Sequence, residues 1–126
     1  MAEYNTLVQD FNHVADFVTV YISEAHPLDE WGLNHERYSR NQQMNLTERL
    51  SSAEMMKAEG MLGNIVVESM DNESIDLYAS LPDRLVVVVD NVIEYKSGLG
   101  PFGYKPDQSL RKWLQKWTTK QVNNVA

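Results

Sequence analysis

The chain has 126 residues, with 11 Lys+Arg against 18 Asp+Glu and a net charge of -7. That length matches one ordinary domain built on a single core. An acidic balance without a basic run repels phosphate backbones and anionic lipid, so nucleic acid is not an expected partner. Cysteine is absent, which excludes disulfides, thiolate metal sites and thiol nucleophiles from these residues. The sequence contains no apolar stretch of about 18 residues and no charged-then-apolar leader, so as written it reads as soluble and cytoplasmic.

In chain order, Tyr4, Leu7, Val8, Phe11, Val14 and Ala15 recur at spacings of three and four, which predicts an amphipathic helix starting almost at residue 1. The run "FVTVYI" (17–22) reads as a buried strand. Residues 23–44 lack sustained periodicity and read as a long loop or insertion. Asn45 followed by Glu48 resembles a capping box, and Leu46, Leu50 and Ala53 form the apolar stripe of a second helix ending near Gly60. "NIVVES" (64–69) predicts a short strand, and residues 74–80 a short helix. "RLVVVV" (84–89), the turn Asp90-Asn91 and "VIEYK" (92–96) predict a β-hairpin, because an Asx pair accepts the positive φ values of such turns. After "SGLGPFG" a last helix carries Leu110, Trp113, Leu114 and Trp117 on one face, read as core. The domain spans 1–120, with 121–126 as a tail.

A strand, helix, strand order favours parallel pairing with a right-handed crossover, and the hairpin adds an antiparallel edge. The order is that of an α/β thioredoxin-like fold, a mixed sheet flanked by helices, with its first strand missing. The strands at 17–22 and 84–89 are expected to flank the missing one.

"YISEAHPL" (21–28) places a carboxylate and an imidazole just past a strand's carboxyl end, where open α/β sheets bind ligands. In an extended segment Ile22, Glu24 and His26 share one face, with Tyr21 on the other. A histidine beside a carboxylate holds a proton near neutral pH and suits proton delivery; by spacing alone, a solvated strand end serves equally. A metal set of Glu24, His26, Asp29 and His35 has nothing to fix its geometry, so no metal is expected. Met55, Met56 and Met61 read as packing residues. "SGLGPFG" reads as a turn, because it lacks the strand-to-helix context of a phosphate loop.

"DFVTVYISEAHPLDEW" resembles the signature of the iodothyronine deiodinases, in which a strand ending in Tyr-Ile runs into Glu-Glu-Ala-His. The likeness continues through "NLTERLSSA", "VVESMDNESIDLYASLPDRLVVV", "VIEYKSGLGPFGY" and the tryptophan-bearing last helix, covering residues 4 to 117. The resemblance implies a thioredoxin-like fold and reductive removal of iodine from thyroid-hormone rings by a selenocysteine at the end of the first strand. "MAEYNTLVQDFNHVADF" looks like the segment that follows that selenocysteine. Selenocysteine is encoded by UGA, normally a stop, so a reading frame restarted at the next methionine would yield this chain.

The resemblance also implies roles. His26 matches the family histidine that assists at the phenol, Glu24 its carboxylate partner, and Tyr21 the strand tyrosine near the selenium. Arg84 fits the arginine of the Pro-Glu-Arg-Leu motif, a candidate clamp for the substrate carboxylate. Trp31 and His35 join it as candidate substrate contacts. The chain departs from the family pattern at Ser23, in place of a glutamate, and at Gln43, in place of a second histidine; His35 is the candidate substitute. The family further implies an iodothyronine or other iodinated phenol as substrate, a thiol reductant as co-substrate with no bound cofactor, a homodimer, and a membrane anchor in the full-length proteins. Two alternatives stand beside it: a non-catalytic thioredoxin-like binding module holding an aromatic ligand between Trp31, His26 and Arg84, and a peroxiredoxin-like thiol oxidoreductase. The second of these is disfavoured by the cysteine count.

Overall fold

A computed structural model describes residues 1–24, 42–100 and 103–124. Its elements follow the order α1 (Ala2–Phe11), β1 (Val18–Tyr21), α2 (Leu46–Ala58), β2 (Asn64–Val67), α3 (Glu73–Tyr78), β3 (Val86–Val89), β4 (Val92–Lys96), one π-type turn (Pro106–Leu110) and α4 (Arg111–Asn124). This is a mixed α/β architecture. α4 runs on through residues 121–124, which the sequence sets apart as a tail. The chain groups into two compact units, Met1–Phe17 with Asp83–Ala126, and Val18–Pro82.

In the first unit the periodic stripe of α1 does what its spacing dictates: Tyr4, Leu7, Val8 and Phe11 are buried. Leu7 and Phe11 join Leu85, Leu110 and Leu114 in a core against which Val14, Ala15, Val87, Tyr95 and Trp113 pack. Trp117 stacks on Trp113 with ring centroids 5.5 Å apart. The hairpin forms as predicted, with Asp90 at φ 50° and Asn91 at φ 65°, both in the left-handed region that a type I′ turn requires. Its register runs Val89↔Val92, Val88↔Ile93, then Val87↔Tyr95, so Glu94 is the extra residue of a bulge. Beyond the strands Ser97 continues the ladder: its N–H donates to the Leu85 carbonyl at 2.9 Å, and its hydroxyl accepts from the Leu85 N–H at 2.8 Å.

The "SGLG" segment then folds back on itself. The Gly103 N–H donates to the Leu99 carbonyl at 2.7 Å, and the Gly100 N–H donates to Asp83 Oδ1 at 2.8 Å. A Cβ at Gly103 would lie 2.6 Å from the backbone of Gly98, so the glycine is required by close approach. Arg111 ties α4 to α1, with its guanidinium 2.9 Å from Asp10 and above the Phe11 ring.

In the second unit β1 and β2 pair in parallel with Val18↔Asn64 through Tyr21↔Val67 in register, the crossover being α2. Among the described residues the strands form two separate two-stranded sheets, and β1 and β3 are not paired with each other, as expected of strands that would flank a missing one. Two other expectations change here. The strand at 17–22 is not buried on both faces: Tyr21 is buried, but Val18 and Val20 are exposed, as is Val66 beside them on β2. An apolar run on a strand signals two faces able to be covered; covering is a tertiary matter. Finally, the buried face of α2 is Arg49, Ser52 and Ala53, whereas Leu46 and Leu50 of the predicted stripe are each 45% exposed.

Candidate functional site

The site assembles at the carboxyl end of β1. β1 ends at Tyr21, and residues 22–24 follow it outside any regular element. Strand alternation would put Tyr21 and Glu24 on opposite faces, yet the Tyr21 hydroxyl donates to Glu24 Oε1, so the two side chains meet. Tyr21 is buried and Glu24 partly so. A phenol donating to a carboxylate in a partly desolvated place forms a charge-assisted hydrogen bond.

The side chains completing this pair come from the segment leading into α2. Gln42 grips the Glu24 backbone with its amide, Oε1 accepting from the Glu24 N–H at 3.2 Å and Nε2 donating to the Glu24 carbonyl at 3.5 Å. Gln43, buried, donates from Nε2 to Glu24 Oε1 at 3.2 Å and to Ser52 Oγ at 3.1 Å. What places Gln43 there is the start of α2. The Asn45 side chain caps the Glu48 N–H at 2.9 Å, and Glu48 reaches back to the Met44 N–H at 2.6 Å, a capping box displaced by one residue from the usual form.

One turn along the same helix lies Arg49, 1% exposed. Its Nη1 donates to the carbonyls of Glu68 (3.2 Å) and Ser69 (2.9 Å) and to Asn72 Oδ1 (3.0 Å). It thereby fixes the connection from β2 to α3. Glu68 anchors the same connection from its other side, accepting from the N–H groups of Ser69 at 3.0 Å and Ser74 at 2.8 Å. The Ser74 side chain lowers the Glu68 carboxyl most, burial opposes it, and the Ser74 and Ser69 N–H donors lower it further, so that it lies below the usual value.

Of the residues singled out by sequence, Tyr21 and Glu24 are brought together. His26, Trp31 and His35 lie outside the described residues. Arg84 belongs to the other unit, immediately before Leu85 and β3. Its side chain is half-buried, with Nε buried and unpartnered among the described residues. A guanidinium with a spare donor and no carboxylate partner among the described residues has the capacity to take an anionic group. Among the described residues no group of three His, Asp or Glu could hold a metal ion. Sequence reasoning missed Gln42, Ser52 and Arg49. The available signal was Arg49–Ser52–Ala53 at i, i+3, i+4, a second stripe on α2 that competes with the leucines.

The family model for iodothyronine deiodinase matches residues 1–118. The chain belongs to the iodothyronine deiodinase family. It is similar to the type I iodothyronine deiodinase of Xenopus laevis, 38% identical over 108 residues, covering 86% of this chain and 42% of the relative. It is likewise similar to the thyroxine 5-deiodinases of Sparus aurata, 37% identical over 124 residues (98% of this chain, 46% of the relative), and Gallus gallus, 36% identical over 120 residues (95% and 46%). This deiodinase-family chain thus spans somewhat under half the length of these curated relatives. No helix among its described residues is long and apolar enough to cross a membrane.

Proposed function

We propose that these residues form the substrate and proton-handling part of a reductive deiodinase acting on iodinated phenols of the thyroid-hormone type, on a thioredoxin-like scaffold. The observation that carries the reading is the Tyr21–Glu24 hydroxyl–carboxylate pair at the carboxyl end of β1. Removing iodine from an aromatic ring requires a chalcogenolate to take the iodine as a chalcogen–iodine bond while the ring carbon takes a proton in its place. Two thiol equivalents then return the chalcogenolate and release iodide and a disulfide, which balances the electrons. A chain without cysteine supplies no such group, because hydroxyls stay protonated and poorly nucleophilic near neutral pH. The chalcogen, a selenocysteine by the family pattern, comes from outside the 126 residues.

In this reading Glu24 and Tyr21 organise the proton that replaces iodine, His26 delivers it, and Arg84 holds the substrate carboxylate, with Trp31 and His35 lining the ring site. A thiol co-substrate and a homodimer complete the proposal. The absence of cysteine favours a second reading, a non-catalytic binding module that holds the same kind of ligand without turning it over.

One experiment separates the two. The 126-residue chain is expected to show no deiodination with any thiol. The chain extended by a family nucleophile strand, with selenocysteine or the weaker cysteine, is expected to recover it. In the extended protein His26→Ala should lower kcat by about 100- to 10,000-fold. Arg84→Ala should instead mainly raise KM, because a remote carboxylate clamp holds ground and transition states alike. Binding of an iodinated phenol with no turnover in the extended protein would establish the binding module instead.

A further inference from the structure

We infer that Gln43 is a positioning residue that aims the Glu24 carboxylate at Tyr21 and closes the inner end of this network to protons; the inference rests on the deiodinase reading above. Gln43 is 5% exposed. Both of its amide hydrogens are used, one toward Glu24 Oε1 at 3.2 Å and one toward Ser52 Oγ at 3.1 Å. Its Oε1 is buried and unpartnered among the described residues. A buried acceptor without a donor is costly, and a native structure tolerates it only where something else fixes the group.

Here that constraint is the carboxylate. Turning the amide over would set its carbonyl oxygen against the Glu24 oxygen and give up both N–H donations, to Glu24 and to Ser52. The amide therefore has one orientation, set by Glu24 in front and Ser52 behind. Ser52 sits on the buried face of α2, and Gln43 lies two residues before the Asn45 cap of the same helix, so the helix and its lead-in carry both parts of the support. The consequence is directional. Near neutral pH an amide neither gains nor loses a proton. Gln43 can orient Glu24, but it cannot pass a proton from Glu24 to Ser52. Imidazole, which donates from one nitrogen and accepts at the other, would lack that restriction.

The test uses the 15N-labelled 126-residue chain and the side-chain NH2 signals of Gln43. Both hydrogens are expected to exchange with solvent far more slowly than those of exposed Gln115. Glu24→Gln, which retains an acceptor, should preserve this protection, whereas Glu24→Leu and Ser52→Ala should each abolish it for one hydrogen. A Gln43 amide exchanging as fast as that of Gln115 overturns the inference, as does protection that survives Glu24→Leu unchanged. In the chain extended by its chalcogen strand, Gln43→Leu should lower kcat on the order of 100-fold with KM little changed, since misaiming a reacting group acts on the transition state. Gln43→Asn in the same protein should fall between. An unchanged kcat in a folded Gln43→Leu protein also overturns the inference. Protected amide signals beside an extended wild-type protein that does not deiodinate would support the Gln43–Glu24 arrangement and overturn the deiodinase reading instead.

Discussion

Tyr104 closes the glycine-rich loop, and its ionisation measures how firmly that loop is folded. Burial first, then the negative charge of Asp83, with further contributions from Tyr4 and Glu3, push its phenol from 10.0 up to about 12. The same Asp83 accepts the Gly100 N–H, so the charge that raises the phenol is fixed by the loop itself. A phenol whose value is raised on folding binds its proton more tightly folded than unfolded. Its contribution to stability is therefore complete below about pH 10 and is lost as pH rises from about 10 to about 12. At about 1.4 kcal/mol per unit, the loss attributable to Tyr104 is roughly 1.4 kcal/mol at about pH 11 and approaches roughly 3 kcal/mol beyond pH 12. Urea unfolding of the wild type and Tyr104→Phe at about pH 8 and about pH 11 isolates this, because every other alkaline titration is common to both proteins. Tyr104→Phe should gain on the wild type by that amount between the two pH values. Phenolate absorbance should show a late-titrating tyrosine that the variant lacks. A gap between the two proteins that does not change with pH would refute the picture of a half-buried Tyr104 facing Asp83.

Arg49→Met keeps the aliphatic stem but removes the donor to the Glu68 and Ser69 carbonyls and Asn72, and should cost about 1–3 kcal/mol in urea unfolding; a gain in stability would mean that the cost of burying the guanidinium outweighs its bonds. Gly103→Ala forces a Cβ to within 2.6 Å of the Gly98 backbone and 2.7 Å of the Leu99 carbonyl. It should destabilise the fold by about 1–3 kcal/mol and expose the Gly103 amide to hydrogen exchange; an unaltered melting curve would contradict the close approach. Glu68, held low by Ser74 and Ser69, contributes stability above its unfolded value that is lost as pH falls through the folded value. Glu68→Gln should therefore flatten the acid limb of the stability profile, and an unchanged acid limb would show that the carboxylate is not so held.

Features set by neighbours in the chain were legible in the sequence. The α1 stripe, the cap at Asn45, the Asp90-Asn91 turn and a strand within residues 17–22 each depend on spacing or on a residue's own φ preference, which a few consecutive letters specify. The family likeness also lay in local motifs, among them Glu24-Ala25-His26 and the Pro82–Leu85 segment. Only the tertiary structure decided the rest, because burial is chosen by what arrives from elsewhere in the chain. The leucines of α2 carried the stronger apolar signal, yet Arg49 and Ser52 face inward. The carbonyls of Glu68 and Ser69, and the amide of Gln43, supply partners that no leucine could use. Val18 and Val20 show the reverse, apolar residues left exposed where no described element covers their face of the sheet. Glu24 combines both cases: its place near a strand end follows from the sequence, but strand alternation alone would have separated it from Tyr21, and its bond to Gln43 required contact across 19 residues. Hydrogen bonds to side chains so distant leave no periodic trace, so the network around Glu24 exists only once the chain has folded.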